Sequence, residues 1–151
     1  MRSPQSHDPS DRFNLLRFVS AQEQIFEVAL SELRQGRKES HWMWFIFPQL
    51  AGLGRSTTAI KYGIKTLDEA RAYLNHTVLG PRVLECCRAI LSVQGKSASE
   101  IMGYPDDLKL RSSMTLFSLV AGSHSEFGEV ISKYFGGRQD ERTRELLDHQ
   151  P

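Results

Sequence analysis

The chain has 151 residues, of which 40% are hydrophobic and 25% are charged, and its 19 basic and 18 acidic side chains give a formal net charge of +1. This length predicts one domain whose core needs no metal or disulfide for support. The charge balance excludes a general attraction to nucleic acid or to an anionic membrane, so any such contact would have to be local.

The N-terminus and the cysteines indicate a soluble protein of the cytoplasm. Residues 1–10 are polar, contain two prolines and lack the apolar core of a signal peptide, so we expect a flexible tail before a single domain over residues 11–151. The apolar run at 42–47 is far shorter than the roughly 20 residues of a membrane span. Cys86 and Cys87 are adjacent and cannot easily bridge each other, which predicts reduced thiols.

Helix-start signals and apolar spacing predict an all-α fold of about seven or eight helices, several of them short, without a substantial sheet. Four segments fit the S/T-x-x-E capping box, in which a hydroxyl and a carboxylate satisfy backbone donors at a helix start. These segments begin at Ser20, Thr66, Ser97 and Ser123. Apolar residues at helical spacing follow each of them, which makes the four matches consistent with one another.

The predicted helices follow one another closely along the chain. A short helix around residues 13–19 precedes a longer one from Ser20 to a stop at Gly36, and the run 42–47 is interpreted as a short buried helix. A turn at 52–56 leads to a hydroxyl-rich helix start, and helices then cover 66–76 and the segment from 79 to 91. Pro105 opens a long helix, another runs from 127 to a stop at 136–137, and a last one covers 140–148.

Six stretches between residues 41 and 137 form a recognisable pattern, and the likeness that they carry covers nearly the whole chain from Asp11 onward. They are residues 41–49 (HWMWFIFPQ), 52–56 (GLGRS), 62–64 (YGI), 69–74 (EARAYL), 105–117 (PDDLKLRSSMTLF) and 134–137 (YFGG). In these stretches the chain resembles a bacterial family known as domain of unknown function 1810. The resemblance implies a mainly helical fold and brings no established activity. Some members have been labelled calpastatin, but this chain lacks that inhibitor's Thr-Ile-Pro-Pro-type motif and is patterned to fold, so we reject the label.

The first candidate for a site is the aromatic segment from His41 to Gln49. It contains both tryptophans, and ring surface of this extent must be buried in the core or against a ligand. Basic residues flank the segment, so Trp42, Trp44 and the two polar ends could hold a planar anion such as a nucleotide by stacking and charge. The commoner alternative is that the rings are core and the charges form a solvated rim.

The second candidate is the glycine-containing turn at residues 52–56, which leads into a helix. Backbone N–H groups at a helix N-terminus can bind phosphate, and Arg55 would add positive charge. The spacing is not that of a P-loop, and no predicted strand precedes the turn. The alternative is therefore a tight turn in which Ser56 caps the next helix.

The third candidate is the unusually polar first half of the helix after Pro105. Asp106, Lys109 and Ser113 are spaced three and four residues apart, which predicts one shared face, with Ser112 beside it. A carboxylate, an amine and a hydroxyl this close could perform acid–base chemistry or bind a phosphate. The alternative is structural, because acidic residues complement the helix dipole and small hydroxyls permit close packing.

Other chemistries lack their sequence motifs, so no metal and no cofactor is expected. The five histidines do not pair at metal-ligand spacing, and no nucleophile elbow occurs. A thiol mechanism would need a base such as His76 beside Cys86 or Cys87, although the helical spacing puts Cys87 in the core.

The hypothesis that best accounts for these features is a small-molecule site at which the three segments meet. Its ligand would be a small nucleotide-like or phosphorylated anion, with or without catalysis. The alternative is a non-catalytic protein-interaction module that receives a partner in an apolar groove. A nucleic-acid binder ranks third, since the charge balance offers no broad basic face.

Overall fold

The computed structural model describes residues 9–150, and within them the chain folds into ten helices. In chain order these are α1 (Leu16–Gln22), α2 (Phe26–Gln35), α3 (Met43–Ile46), α4 (Thr57–Tyr62), α5 (Leu67–Asn75), α6 (Leu79–Leu91), α7 (Ala98–Met102), α8 (Asp106–Ala121), α9 (Glu126–Phe135) and α10 (Glu141–Asp148). Seven of them contain seven or more residues. The extended pairing in this part of the chain is an isolated parallel bridge between Leu50 and Ile64. The all-α prediction is confirmed.

The sequence also predicts a flexible N-terminal tail and no membrane span. Residues 1–8 of the predicted N-terminal tail lie outside the described residues. No helix within residues 9–150 combines the length and the apolar character that crossing a bilayer would require.

Several helix ends lie where the local sequence predicts them. Gly36 ends α2 in a left-handed conformation, with a φ of 73°, and its N–H donates to the carbonyls of the last helical turn. Ser97 and Glu100 form a complete capping box at the start of α7. Asp140 caps α10 by accepting the N–H of Thr143. Short side chains with a hydroxyl or carboxylate therefore set these boundaries by local hydrogen bonding.

Two of the predicted helix starts are wrong. Ser20 starts no helix, because it lies inside α1, and α2 begins only at Phe26, after Ile25 and without a side-chain cap. Ser123 precedes the start of α9 by three residues, and the hydroxyl of Ser125 serves as the cap instead. A four-residue pattern cannot choose between neighbouring hydroxyls or acids when more than one of them can reach the free N–H groups.

Aromatic rings connect four of the helices through the core. Phe18 of α1 meets Tyr73 of α5 edge to face at 5.1 Å, Tyr73 packs on Phe117 of α8 at 5.3 Å, and Phe117 packs on Phe127 of α9 at 5.3 Å. The amide nitrogen of the buried Gln22 donates to the Tyr73 hydroxyl at 3.0 Å, so the polar end of this ring is satisfied. α8 therefore packs against both α5 and α9 through the ring of Phe117.

A buried carboxylate anchors the aromatic segment to α2. Glu32 is 8% exposed and accepts the N–H groups of Glu39 and Ser40, the Ser40 hydroxyl at 2.6 Å and the indole N–H of Trp42 at 2.9 Å. Burial by itself would raise the pKa of this carboxyl, but the hydrogen bonds from Ser40, Glu39 and Trp42 outweigh it and lower the pKa from 4.5 to about 2. The ionised side chain thus holds the chain in place just before Trp44.

Candidate functional site

Residues from distant parts of the chain line one cavity of about 280 Å³, which we name the Trp44 cavity. Its lining residues are Trp44, Gln49, Leu53, Gly54, Pro105, Leu108, Lys109, Ser112, Asp140 and Arg142. The aromatic segment, the glycine turn and the polar half of α8 all contribute to it, and the start of α10 adds a fourth wall.

The half-buried ring of Trp44 is held between the glycine turn and α8. The Lys109 ammonium lies 4.0 Å from the ring centroid, which is a close cation–π contact. At Gly54, a Cβ would lie 2.8 Å from the Cβ of Ala59 and 3.5 Å from the ring carbon Cη2 of Trp44. Glycine therefore lets the turn pack tightly against the indole, and the ring forms a fixed wall of the cavity.

Two lysines share one carboxylate at the base of this wall. Lys38 Nζ lies 2.9 Å from Asp106 Oδ2, and Lys109 Nζ lies 3.3 Å from Asp106 Oδ1. The Lys38 ammonium is further fixed by the Ser40 carbonyl at 2.6 Å and stands over the Trp42 ring. One carboxylate thus serves two ammonium groups, and Asp140 brings a second carboxylate to the lining beside Lys109 and Arg142.

The start of α10 is tied to α8 by side-chain hydrogen bonds. Asp140 Oδ2 accepts the hydroxyl of Ser112 at 3.0 Å and that of Thr143 at 2.6 Å, while the backbone N–H of Asp140 donates to Thr115 Oγ1. Arg142, by contrast, has only a loose pairing with Glu145 at 4.0 Å, and its side chain is 62% exposed. Asp140 is thus engaged in structure, whereas Arg142 is available to a ligand.

Gln49 contributes a polar side chain to the lining of the Trp44 cavity. Its backbone carbonyl accepts the N–H of Ile64 at 3.0 Å, and the N–H of Ala51 donates to the Ile64 carbonyl at 2.7 Å, which fixes this segment against the end of α4. The side-chain amide of Gln49 makes no hydrogen bond with another residue in the 9–150 range. It can therefore donate to or accept from a bound molecule.

Five of the ten candidate residues lie away from the cavity. Trp42 is fully buried in the core, and Ser113 is likewise 0% exposed, with a hydroxyl that has no hydrogen-bond partner among the described residues. His41 and Arg55 are exposed and do not line the cavity. Ser56 caps α4 by accepting the N–H of Ala59 at 3.1 Å, as in the structural alternative for the turn.

The other five candidates belong to the site, four of them as lining. Trp44, Gln49, Lys109 and Ser112 face the cavity, and Asp106 binds the lining lysine. On α8 the cavity face thus carries Ser112, and its neighbour Ser113 faces the core.

Six lining residues were not among the sequence candidates. These are Leu53, Gly54, Pro105, Leu108, Asp140 and Arg142. Gly54 lies within the turn that the sequence singled out, and Asp140 was expected only to start a helix. No local signal connects Arg142 to the aromatic segment, because nearly 100 residues separate them in the chain and only tertiary packing brings them together.

The residues of metal sites and the two thiols can be placed in the described part of the chain. Within residues 9–150 no cluster of His, Cys, Asp and Glu could hold a metal ion. Burial raises the pKa of Cys86 to about 12 and raises that of Cys87 as well. The imidazole of His76 accepts the N–H groups of Val78 and Leu79 and does not contact either thiol.

The fold and the cavity define a small all-α domain with a cationic, aromatic-walled cleft. The chain belongs to the family described as Protein of unknown function (DUF1810), whose model matches residues 12–147. It is similar to a solved crystal structure, that of the conserved hypothetical protein Rv1873 from Mycobacterium tuberculosis. That similarity amounts to 52% identity and a TM-score of 0.90, over 93% of this chain and 100% of that one. No curated protein matches the chain. The family resemblance drawn from the motifs is thus confirmed.

Proposed function

We propose that the Trp44 cavity binds a small anionic ligand, either nucleotide-like or a phosphorylated metabolite. The observation that carries this proposal is the Lys109 ammonium, 4.0 Å over the Trp44 ring, in a cavity that Arg142 also lines. A flat aromatic wall beside two cationic groups suits a ligand with an apolar or planar body and a negative end.

The exchange of ion-pair partners explains how Lys109 can take up an anion at low cost. In the free protein Lys109 shares Asp106 with Lys38, and Lys38 is the closer partner at 2.9 Å. When a ligand phosphate pairs with Lys109, Asp106 keeps its bond to Lys38. The half-buried carboxylate of Asp106 is therefore not left without a partner, which would otherwise oppose binding.

The size of the cavity limits the class of ligand. A volume of about 280 Å³ lies just below the range for small-molecule sites, which is roughly 300–1,000 Å³. A mononucleotide or a smaller phosphorylated metabolite is therefore favoured over a dinucleotide. Leu53, Pro105 and Leu108 supply apolar surface for its body, and Gln49 supplies one amide for a directed hydrogen bond.

A thermal-shift screen with calorimetric follow-up tests the proposal. Nucleoside monophosphates, ADP-ribose and phosphorylated sugars are added to the protein, since a ligand at 100 times its Kd stabilises the folded state by about 2.7 kcal/mol. For a compound that binds, K109Q and R142Q should each weaken binding by about tenfold or more. R34Q is the control. It removes one positive charge from an exposed position on α2, away from the cavity. A Kd unchanged in both cavity variants would refute the proposal.

A protein-interaction module is the second candidate, and it depends on a different part of the surface. A groove of about 540 Å³ between α5, α6, α8 and α9 is lined by Leu74, Leu84, Val120 and Phe127, among others. The apolar part of this lining favours a partner helix or peptide, and Arg71, Asn75, Ser125 and Glu126 would meet its polar groups. Backbone amide resonances distinguish the two functions: a groove partner would shift those of Leu74 and Val120 and leave that of Gln49 unchanged.

A further inference from the structure

A second polar cavity lies between α8, α9 and α10, and it shares no lining residue with the Trp44 cavity. Its volume is about 470 Å³, and three guanidinium groups line it, those of Arg111, Arg138 and Arg144. We name it the arginine cavity. We infer that it binds a compact phosphate-bearing anion at a site of its own, a function that does not depend on the one proposed for the Trp44 cavity.

The charge of the lining is the first argument. Three guanidinium groups and the single lining carboxylate, that of Glu141, leave an excess of two positive charges, whereas the whole chain carries a net charge of +1. The guanidinium groups of Arg138 and Arg144 make no hydrogen bond or ion pair with any residue in the described part of the chain. Their hydrogen-bonding capacity is therefore available to a ligand.

Hydrogen bonds already order one wall of the cavity. Arg111 donates from Nε to the carbonyl of Arg138 and from Nη2 to the carbonyl of Gln139, each at 2.9 Å. The side-chain amide of Gln139 reaches the hydroxyl of Ser118 at 3.4 Å. These bonds tie the turn after α9 to α8, so the backbone that carries Arg138 need not be ordered when a ligand binds. Arg111 keeps its remaining nitrogen, Nη1, for the anion.

The chemistry of the lining selects the ligand class. Guanidinium groups bind phosphate oxygens through paired N–H donors, and the hydroxyls of Ser123 and Ser132 add two further donors at the same cavity. Ile131 is the one large apolar residue of the lining, and no aromatic ring is present on which a nucleobase could stack. The cavity therefore fits a di- or polyphosphate group better than a nucleobase.

The experiment uses sodium pyrophosphate as the probe, in an NMR titration of the full chain at constant ionic strength, with calorimetry for the Kd. We expect the amide resonances of Ser132, Gly137 and Gln139 to shift on titration, and that of Gln49 to stay in place. The double variant R138Q/R144Q should weaken binding by about tenfold or more, because each guanidinium supplies charge-assisted hydrogen bonds.

The control variant is R34Q/R71Q, which removes two exposed arginines from α2 and α5 and so matches the change in net charge. It should change the Kd by less than about twofold, since charges far from the site are screened. Equal losses in the two double variants would show general charge attraction and overturn the inference, as would shifts confined to the Trp44 cavity. K109Q separates the two proposals, because it should leave pyrophosphate binding at the arginine cavity intact.

Discussion

Replacing Glu32 with Gln should lower the free energy of unfolding by about 3 kcal/mol at pH 7 and by much less at pH 3. In the folded protein four donors bind this carboxylate, and its pKa is about 2 instead of 4.5. At roughly 1.4 kcal/mol for each pKa unit, this difference corresponds to about 3 kcal/mol of stability when the group is ionised in both states.

The stabilisation by Glu32 depends on pH because folding lowers the pKa of this carboxyl. Because the folded-state pKa is the lower one, the stabilisation is complete above pH 4.5 and disappears as the pH falls through about 2. At pH 3 the unfolded chain already binds the proton, while the folded chain is still mostly ionised, so about 1 kcal/mol remains. The destabilisation caused by E32Q should therefore shrink by about 2 kcal/mol between pH 7 and pH 3.

Urea unfolding at the two pH values measures these differences directly. E27Q is the matched control, because Glu27 is exposed on the same helix, and its effect should stay within about 0.5 kcal/mol. An E32Q effect that is equal at pH 7 and pH 3 would refute the argument that the ionised carboxylate holds the aromatic segment. A loss below about 1 kcal/mol at pH 7 would refute it as well.

Two further predictions concern the tryptophans and the thiols. Trp42→Ala should cost about 3–5 kcal/mol in urea unfolding because its ring is fully buried, and Trp44→Ala should cost less; equal losses would contradict these placements. The folded protein should react with a thiol-specific disulfide reagent at pH 8 only as fast as it unfolds, since burial raises the pKa of Cys86 to about 12 and that of Cys87 above its usual value. Rapid reaction of either thiol without unfolding would contradict this prediction.

The helices themselves could be predicted from the sequence, since their signals are local. The apolar spacing of α5 and α6, the stop at Gly36 and the capping box at Ser97 all depend on residues within a few positions of one another. Even the ambiguous run 42–47 proves to contain a short helix, Met43–Ile46. The predictions failed at Ser20, which lies inside α1, and at Ser123, where the neighbouring Ser125 makes the capping bond instead.

The tertiary structure alone decided which polar and aromatic side chains face the cavity. Adjacent helical residues point about 100° apart, so the rotation of α8 about its own axis determines whether Ser112 or Ser113 faces the core. That rotation depends on Tyr73, which packs on α8 from α5, and on Asp140, which binds Ser112 from the start of α10. Neither partner can be inferred from the sequence around the serines. The amino-acid sequence by itself therefore determined the helices and the segments rich in functional groups. Long-range packing determined the site, because the contacts that orient these segments join residues far apart in the chain.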